Sequence, residues 1–371
     1  MKFVRMENLK TGMRLARPIY SKNGVLLFER DSQLSQQAIE SVKNFGLLGI
    51  YILEPAEPLP PMSEEDKEFE RFQIMTVAGI QDELERILST RHTKNILNIA
   101  TQIIRNYGHM DGKINFYQNL RSRDDFVARH ALNVAMLCAL MSHVLNLPRE
   151  DQQRLIFAAL VHDIGRVKSK NSEIYDNSGN SELRHALFVE TLGVYDVIEE
   201  SFATDGSAIK RICTQAIKKQ MDYEEGKESS LSIEKMVTGA KILHIANVYD
   251  EKTAMNLSGE SESEVKAIKE FIDHPEVYDE EVVKALIASI NILFPGVSVE
   301  LSTGEKALVL VENVFNILQP TVLSFKDNSI LDLSLKANND IYVKDIMKTL
   351  DNRYIMDTDS LKNFTGGSGN A

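Results

Sequence analysis

Proline placement is the strongest local constraint on this chain. Four of its nine prolines crowd into Glu54-Pro-Ala-Glu-Pro-Leu-Pro-Pro61, and none lies between Pro148 and Pro275. A proline inside a helix removes a backbone hydrogen bond and collides with the preceding turn, at a cost of about 3 kcal/mol. The long gap therefore leaves room for uninterrupted helices. The crowded stretch, followed by Ser63-Glu-Glu-Asp-Lys67, reads as an extended linker over 54–67 and as a domain boundary.

Residues 1–53 ahead of that linker read as a small α+β domain. Arg14 to Tyr20 and Val25 to Phe28 flank Lys22-Asn23-Gly24, and Asn-Gly is the strongest short hairpin signal. Asp31 to Phe45 carries Ala38, Ile39 and Val42 at helical spacing before Gly46, and Gly49 to Leu53 returns as a strand. Beyond the linker, residues 68–350 read as a helical domain with C-terminal hairpins. Helices are expected over Phe69 to Leu88, Ile96 to Tyr107, Phe126 to Leu145, Arg149 to Val161, Glu182 to Glu199, Ser207 to Lys219, Ile233 to Asp250 and Glu280 to Leu293. After Phe294-Pro-Gly296 the period becomes two, with hairpins over Val297 to Val311 and Thr321 to Leu333. Residues 351–371, ending Thr365-Gly-Gly-Ser-Gly-Asn-Ala371, read as a flexible tail. The fold class is mainly α: a helical bundle with a C-terminal β-hairpin region, behind a small α+β domain.

A formal net charge of −12 argues against a duplex nucleic acid partner, since phosphate neutralisation needs clustered Lys and Arg. A small anion in a local basic pocket remains compatible with it. Cys138 and Cys213 sit in apolar helical contexts without metal or disulfide spacing, as reduced core thiols do. The start of the chain lacks a signal peptide's apolar stretch, and the longest apolar run, Val134 to Met141, is too short for a bilayer. A cytoplasmic, soluble protein is expected, with no membrane insertion.

His162-Asp163, in Leu160-Val-His-Asp-Ile-Gly165, is poor core material and good metal chemistry, since it offers an imidazole nitrogen and a hard carboxylate oxygen together. Gly165 is a plausible helix stop. His130 shares a helix face with Val134, Leu137 and Met141, so it points into the bundle. His185 sits on the following helix. Three helices could thus converge on a divalent cation that polarises a phosphoryl oxygen. Arg166, three residues past Asp163, could hold a phosphate bidentately. His92, His109, His143 and His274 have no assigned role.

His130, then Val-His162-Asp163-Ile-Gly-Arg166, then His185 resemble the HD superfamily of metal-dependent phosphohydrolases, and more narrowly its bacterial HD-GYP branch of cyclic di-GMP phosphodiesterases. Gly239-Ala-Lys-Ile-Leu-His-Ile-Ala-Asn-Val-Tyr-Asp250 resembles the family helix that carries its closing Asp. Phe294-Pro-Gly-Val-Ser-Val-Glu-Leu-Ser-Thr-Gly304, with Asn313 and Pro320, resembles its C-terminal hairpin. Leu9 to Tyr20 with Asn23-Gly24 resembles a small domain often fused ahead of such modules. The resemblance implies an HD-type bundle, metal ligands His130, His162, Asp163, His185 and Asn247, catalytic roles for Asp163 and Arg166, and substrate contacts from Arg166 and Lys168.

The chain departs from that family in three places. Its His-His-Glu and Asp-Gly-x-Gly-Tyr-Pro are replaced by Ala216-Ile-Lys-Lys-Gln-Met-Asp-Tyr-Glu-Glu-Gly-Lys227, with no histidine between His185 and His244. Asn247 stands where the closing Asp belongs, and Arg166 where Lys is usual; a fork replaces a point charge there. One metal site, iron, manganese or another transition metal, or none, is therefore expected rather than a cluster. Glu182 or Glu190 could add a carboxylate, His244 could substitute as a ligand, and Lys218 or Lys219 could replace a metal's charge. Two functions follow: a phosphohydrolase whose cyclic di-GMP activity is reduced or lost, or an inactive cyclic-dinucleotide sensor or signalling scaffold. The expected partners are a cyclic dinucleotide or other phosphate ester, and a second copy or a signalling protein.

Overall fold

The structure is a computed structural model describing residues 2–21, 24–53, 64–116, 118–168, 180–227, 231–255, 261–338 and 340–347. Lys22 and Asn23 of the expected hairpin turn, 54–63 of the expected linker and the whole expected tail lie outside the described residues. The N-terminal unit holds β1 (Lys2–Arg5), β2 (Arg14–Leu15), β3 (Ile19–Tyr20), β4 (Leu26–Phe28), α1 (Gln36–Lys43) and β5 (Gly49–Leu53). Its antiparallel sheet runs β1-β5-β2, beside a β3-β4 ribbon. Leu15, Ile19, Leu34, Ile39, Val42 and Ile50 form its core. The helix expected from Asp31 begins only at Gln36, because Asp31 adopts φ 69° and the Ser35 side chain caps the Ala38 amide.

The helical part follows as α2 (Glu64–Thr90), α3 (Ile96–Tyr107), α4 (Phe126–Val144), α5 (Arg149–Val161), α6 (Ile164–Lys168), α7 (Ser181–Gly193), α8 (Asp196–Ser201), α9 (Gly206–Glu224), α10 (Thr238–Thr253), α11 (Glu264–Asp273) and α12 (Glu280–Ser289). α4 is its axis, since every residue from Phe126 to Ser142 except Arg129 is buried. Among the described residues, α4 alone is long and apolar enough to cross a membrane, and 83% of that window is buried within the protein. α2, α5, α10 and α12 pack around it.

Two sequence expectations change here. The single helix over Glu182 to Glu199 is two helices, because Tyr195 turns inward and its hydroxyl donates to the His162 carbonyl. The helix expected from Ile233 starts at Thr238, after a short 3-10 turn. α6, α11, β1 and β10 were not expected at all. The C-terminal sheet, β6 (Ser298–Leu301), β7 (Lys306–Val311), β8 (Thr321–Ser324), β9 (Ile330–Asp332) and β10 (Val343–Ile346), runs β10-β6-β7-β8-β9 and is antiparallel throughout. Its inner face, Val299, Leu301, Ala307, Val309 and Val322, joins the helical core.

Gly165 does not stop a helix, because it lies inside α6. A Cβ there would stand 2.4 Å from the Thr191 Cα, so glycine is what lets α6 lie against α7. Gly165→Ala should therefore cost about 1–3 kcal/mol through forced repacking. The expected readout is a lower urea midpoint at unchanged slope; an unchanged midpoint would contradict the close-packing role.

Candidate metal centre

Three elements deliver the central side chains. His130 projects from the first turns of α4, His162 caps the C-terminus of α5 with Asp163 after it, and Asn247 comes from the middle of α10. His130 and His162 are fully buried, and Asn247 and Asp163 nearly so. The two Nε2 atoms lie 3.2 Å apart, and each approaches Asn247 Oδ1, at 2.8 and 2.9 Å. The ligating atoms of His130, His162 and Asp163 all lie within 4.8 Å of one another.

Proton bookkeeping gives this arrangement its meaning. His162 Nδ1 stands 2.8 Å from the Ala159 carbonyl, which only accepts, so the proton is on Nδ1. Burial, helped by the neighbouring His130, lowers the His162 pKa and keeps the ring neutral, so Nε2 presents a lone pair. His130 Nδ1 donates across 2.6 Å to Asp250. Burial opposes the charge on Asp250, but the Arg121 guanidinium and His130 outweigh it and hold the carboxyl ionised. The His130 ring therefore carries a proton on Nδ1 and turns Nε2 inward.

The Asn247 amide is oriented by a relay. Gln220 Nε2 donates to the Glu224 and Glu251 carboxylates at 2.9 and 2.7 Å, so Gln220 Oε1 must accept from Asn247 Nδ2 at 2.7 Å. Oxygen, not nitrogen, then faces the histidines. Two acceptors, His162 Nε2 and Asn247 Oδ1, thus face each other at 2.9 Å, with His130 Nε2 at 3.2 and 2.8 Å from them, an arrangement that a cation would satisfy. Metal bonds of about 2.0–2.1 Å place neighbouring ligand atoms about 3.0–3.4 Å apart, close to the separations seen. The donor set fits one divalent metal ion.

The other sequence candidates fall in different places. His185 is not brought to this cluster, because its side chain is 48% exposed and its Nδ1 pairs with Glu225. Arg166 is buried with NH1 3.0 Å from Asp163 Oδ2 and 3.6 Å from Glu251 Oε1, while its Nε has no partner among the described residues. Lys168 ends α6 exposed, Lys218 is exposed on α9, and Glu182 and Glu190 do not join the cluster. Lys219 is buried and its ammonium reaches the Leu231 carbonyl at 3.4 Å. His244 lies flat against Tyr278, ring centroids 5.2 Å apart, with neither nitrogen partnered among the described residues. It is a packed core histidine rather than a substitute ligand.

Sequence reasoning missed Asp250 and Arg121. Asp250 binds Arg121 at 2.6 Å and Asn133 at 2.8 Å besides His130, and both ionic partners are completely buried. The available signal was an acid one turn past Asn247, on the same helix. Arg121 belongs to a strip over 118–122 shared by both units. Leu48 N donates to the Arg121 carbonyl at 2.9 Å, Leu120 packs into the N-terminal core, and Arg17 donates to the Gln118 carbonyl. Asn119 and Arg121 point the other way, to Asn133 and Asp250.

Residues 127–252 match the HD domain family. The chain contains an HD domain. That match spans α4 to α10 and takes in His130, His162-Asp163, His185, Asn247 and Asp250. No curated protein matches the chain. Among solved structures, the HDG"Y"P protein Bd1817 from Bdellovibrio bacteriovorus aligns over 77% of this chain and 97% of its own, with 14% identity and a TM-score of 0.43. The HD domain family is one of metal-dependent phosphohydrolases, and the buried His130, His162 and Asp163 lie within its matched span.

Two predictions follow from this geometry. Asp250→Asn loses the charge that fixes the His130 tautomer, so metal affinity of the folded variant should fall about 10–100-fold, read by competition with a chromophoric chelator. Unchanged affinity would contradict the role given to Asp250. Burial first, then the Lys219 charge, pushes His244 from 6.5 down to about 3. Below pH 6.5 the unfolded chain takes a proton at this position that the folded one refuses, so stability falls as the pH falls. The urea midpoint should drop more from pH 7 to pH 5 in the native sequence than in His244→Phe; equal drops would contradict the assignment.

Proposed function

We propose that this HD domain belongs to the HD-GYP branch and is a divergent phosphohydrolase holding one divalent transition metal, iron or manganese, with hydrolysis of cyclic di-GMP reduced or lost. The observation that carries this reading is the convergence of His130 Nε2, His162 Nε2 and Asn247 Oδ1 beside Asp163. Together these four residues would hold the ion. When bound, a metal there supplies Lewis acidity toward a phosphoryl oxygen. Asp163 is the one carboxylate in the set among the described residues, so the ligands offset half of a dication's charge. Such a set supports a single ion and lacks the bridging acids of a cluster. The narrower branch rests on the sequence stretches around Asn247 and Phe294-Pro-Gly296.

One observation favours the non-catalytic alternative, a cyclic-dinucleotide sensor or signalling scaffold. The guanidinium expected to meet substrate phosphate, that of Arg166, already serves Asp163 and lies near Glu251. A phosphate ester would have to compete with both carboxylates for it. Residual activity, if expressed, is then limited by access to that cation. The surroundings suit a small anionic ester such as a cyclic dinucleotide, and a second copy or a signalling protein as macromolecular partner.

Elemental analysis of the purified protein, with manganese or iron supplied, tests the reading. One ion per chain is expected, lost in His162→Ala, with turnover of a generic phosphodiester that is slow or absent and abolished by Asp163→Ala. Protein that neither carries nor takes up metal would contradict the proposal. Rapid cyclic di-GMP hydrolysis would overturn its second half.

A further inference from the structure

Glu251 stands one helical turn beyond Asn247 on α10, on the face that carries the metal ligand. Its carboxylate is bound as a phosphate group is commonly bound. Arg184 from α7 meets it side-on, NH1 to Oε1 at 3.2 Å and NH2 to Oε2 at 2.6 Å. Gln220 from α9 adds a third donor at 2.7 Å, and Arg166 NH1 stands 3.6 Å from Oε1. That same Arg166 nitrogen contacts Asp163 at 3.0 Å, which places the Glu251 carboxylate one guanidinium away from the candidate metal ligands. A buried fork between two arginines is the geometry that recognises a planar or tetrahedral oxyanion.

Two features set this apart from an ordinary ion pair. Arg166 is 3% exposed, and its Nε has no acceptor among the described residues, so its guanidinium is not saturated by Asp163 and Glu251. Arg184 is also gripped by Glu224, at 3.0 and 3.1 Å, and stacks 4.6 Å over Phe188, so it would keep its position without Glu251. Removing one carboxylate would leave Arg184, Gln220 and Arg166 preorganised around an anion-sized gap.

We propose that Arg166, Arg184 and Gln220 form an oxyanion seat for a phosphate group beside the metal centre, and that Glu251 is its resident internal anion. A phosphate or phosphate ester enters only by displacing that carboxylate. The proposal rests on the phosphoester reading of this HD domain for its ligand class, but not on the presence of metal. It assigns Arg184 as a second anion-binding residue, and it makes Glu251 the element that decides whether phosphate is admitted.

Binding of inorganic phosphate by the full chain, measured calorimetrically with a chelator present, tests the seat apart from any metal. Glu251→Ala should bind phosphate at least tenfold more tightly than the native chain, with Glu251→Gln gaining in the same direction. The gain should vanish in Glu251→Ala/Arg184→Ala. Should Glu251→Ala unfold, millimolar phosphate is expected to raise its melting temperature toward the native value, which a purely structural glutamate would not produce. Equal phosphate affinity in the native chain, Glu251→Ala and Glu251→Gln, or a gain that survives loss of Arg184, would overturn the proposal. Absence of metal from the native protein would leave this result untouched and bear only on the function proposed above.

Discussion

The buried Asp250 carboxylate holds the centre of this molecule together. It accepts from His130 Nδ1, Arg121 and Asn133 at once, at 2.6, 2.6 and 2.8 Å. A bare carboxylate at that depth would be far too costly to keep ionised, and three donors with one full positive charge offset the cost. The orientation of the His130 ring follows from it, and with that the inward-facing Nε2. Arg121 follows as well, and through Arg121 the strip over 118–122 that the N-terminal unit grips by Leu48 and Arg17. Breaking such a pair typically costs about 3–5 kcal/mol, because the surviving partner is left charged in the interior.

Two charged systems therefore flank the histidine pair. On one side Arg121 and Asp250 fix His130. On the other, Asp163, Arg166, Glu251, Arg184 and Glu224 form a continuous ionic chain. The first sets which atoms face the centre. The second occupies the guanidiniums that a phosphate would need. Gln220 and Asn247 join the two through amide hydrogen bonds, so orientation at the centre depends on both. Replacing acids by amides at such positions keeps the shape and removes charge, which suits one cation better than several.

Much of the site was legible in the sequence because it obeys helical periodicity. His130 was placed inside the bundle by its register with Val134, Leu137 and Met141, and His162-Asp163 by its position at the end of an apolar helix. Asn247 is legible only through the family resemblance, as a neutral residue where that family carries a carboxylate. What escaped were contacts made at long range. Asp250 takes partners 117, 120 and 129 residues away, and no local pattern announces them. Arg121 lies in an extended strip with no periodicity to read. His185 looked like a ligand by spacing, but its rotation about α7 sends it to Glu225. Tyr195 broke an expected helix for a hydrogen bond to His162, again a tertiary effect overriding a local preference.

The central claim is a single cation held by two imidazoles and the oxygens of Asp163 and Asn247. X-ray absorption spectroscopy on protein loaded with manganese or iron addresses it most directly. The account predicts a first shell of nitrogen and oxygen with the outer scattering of two imidazole rings, and no metal–metal vector. Three or more imidazoles, or a second metal at about 3.5–4 Å, would contradict it.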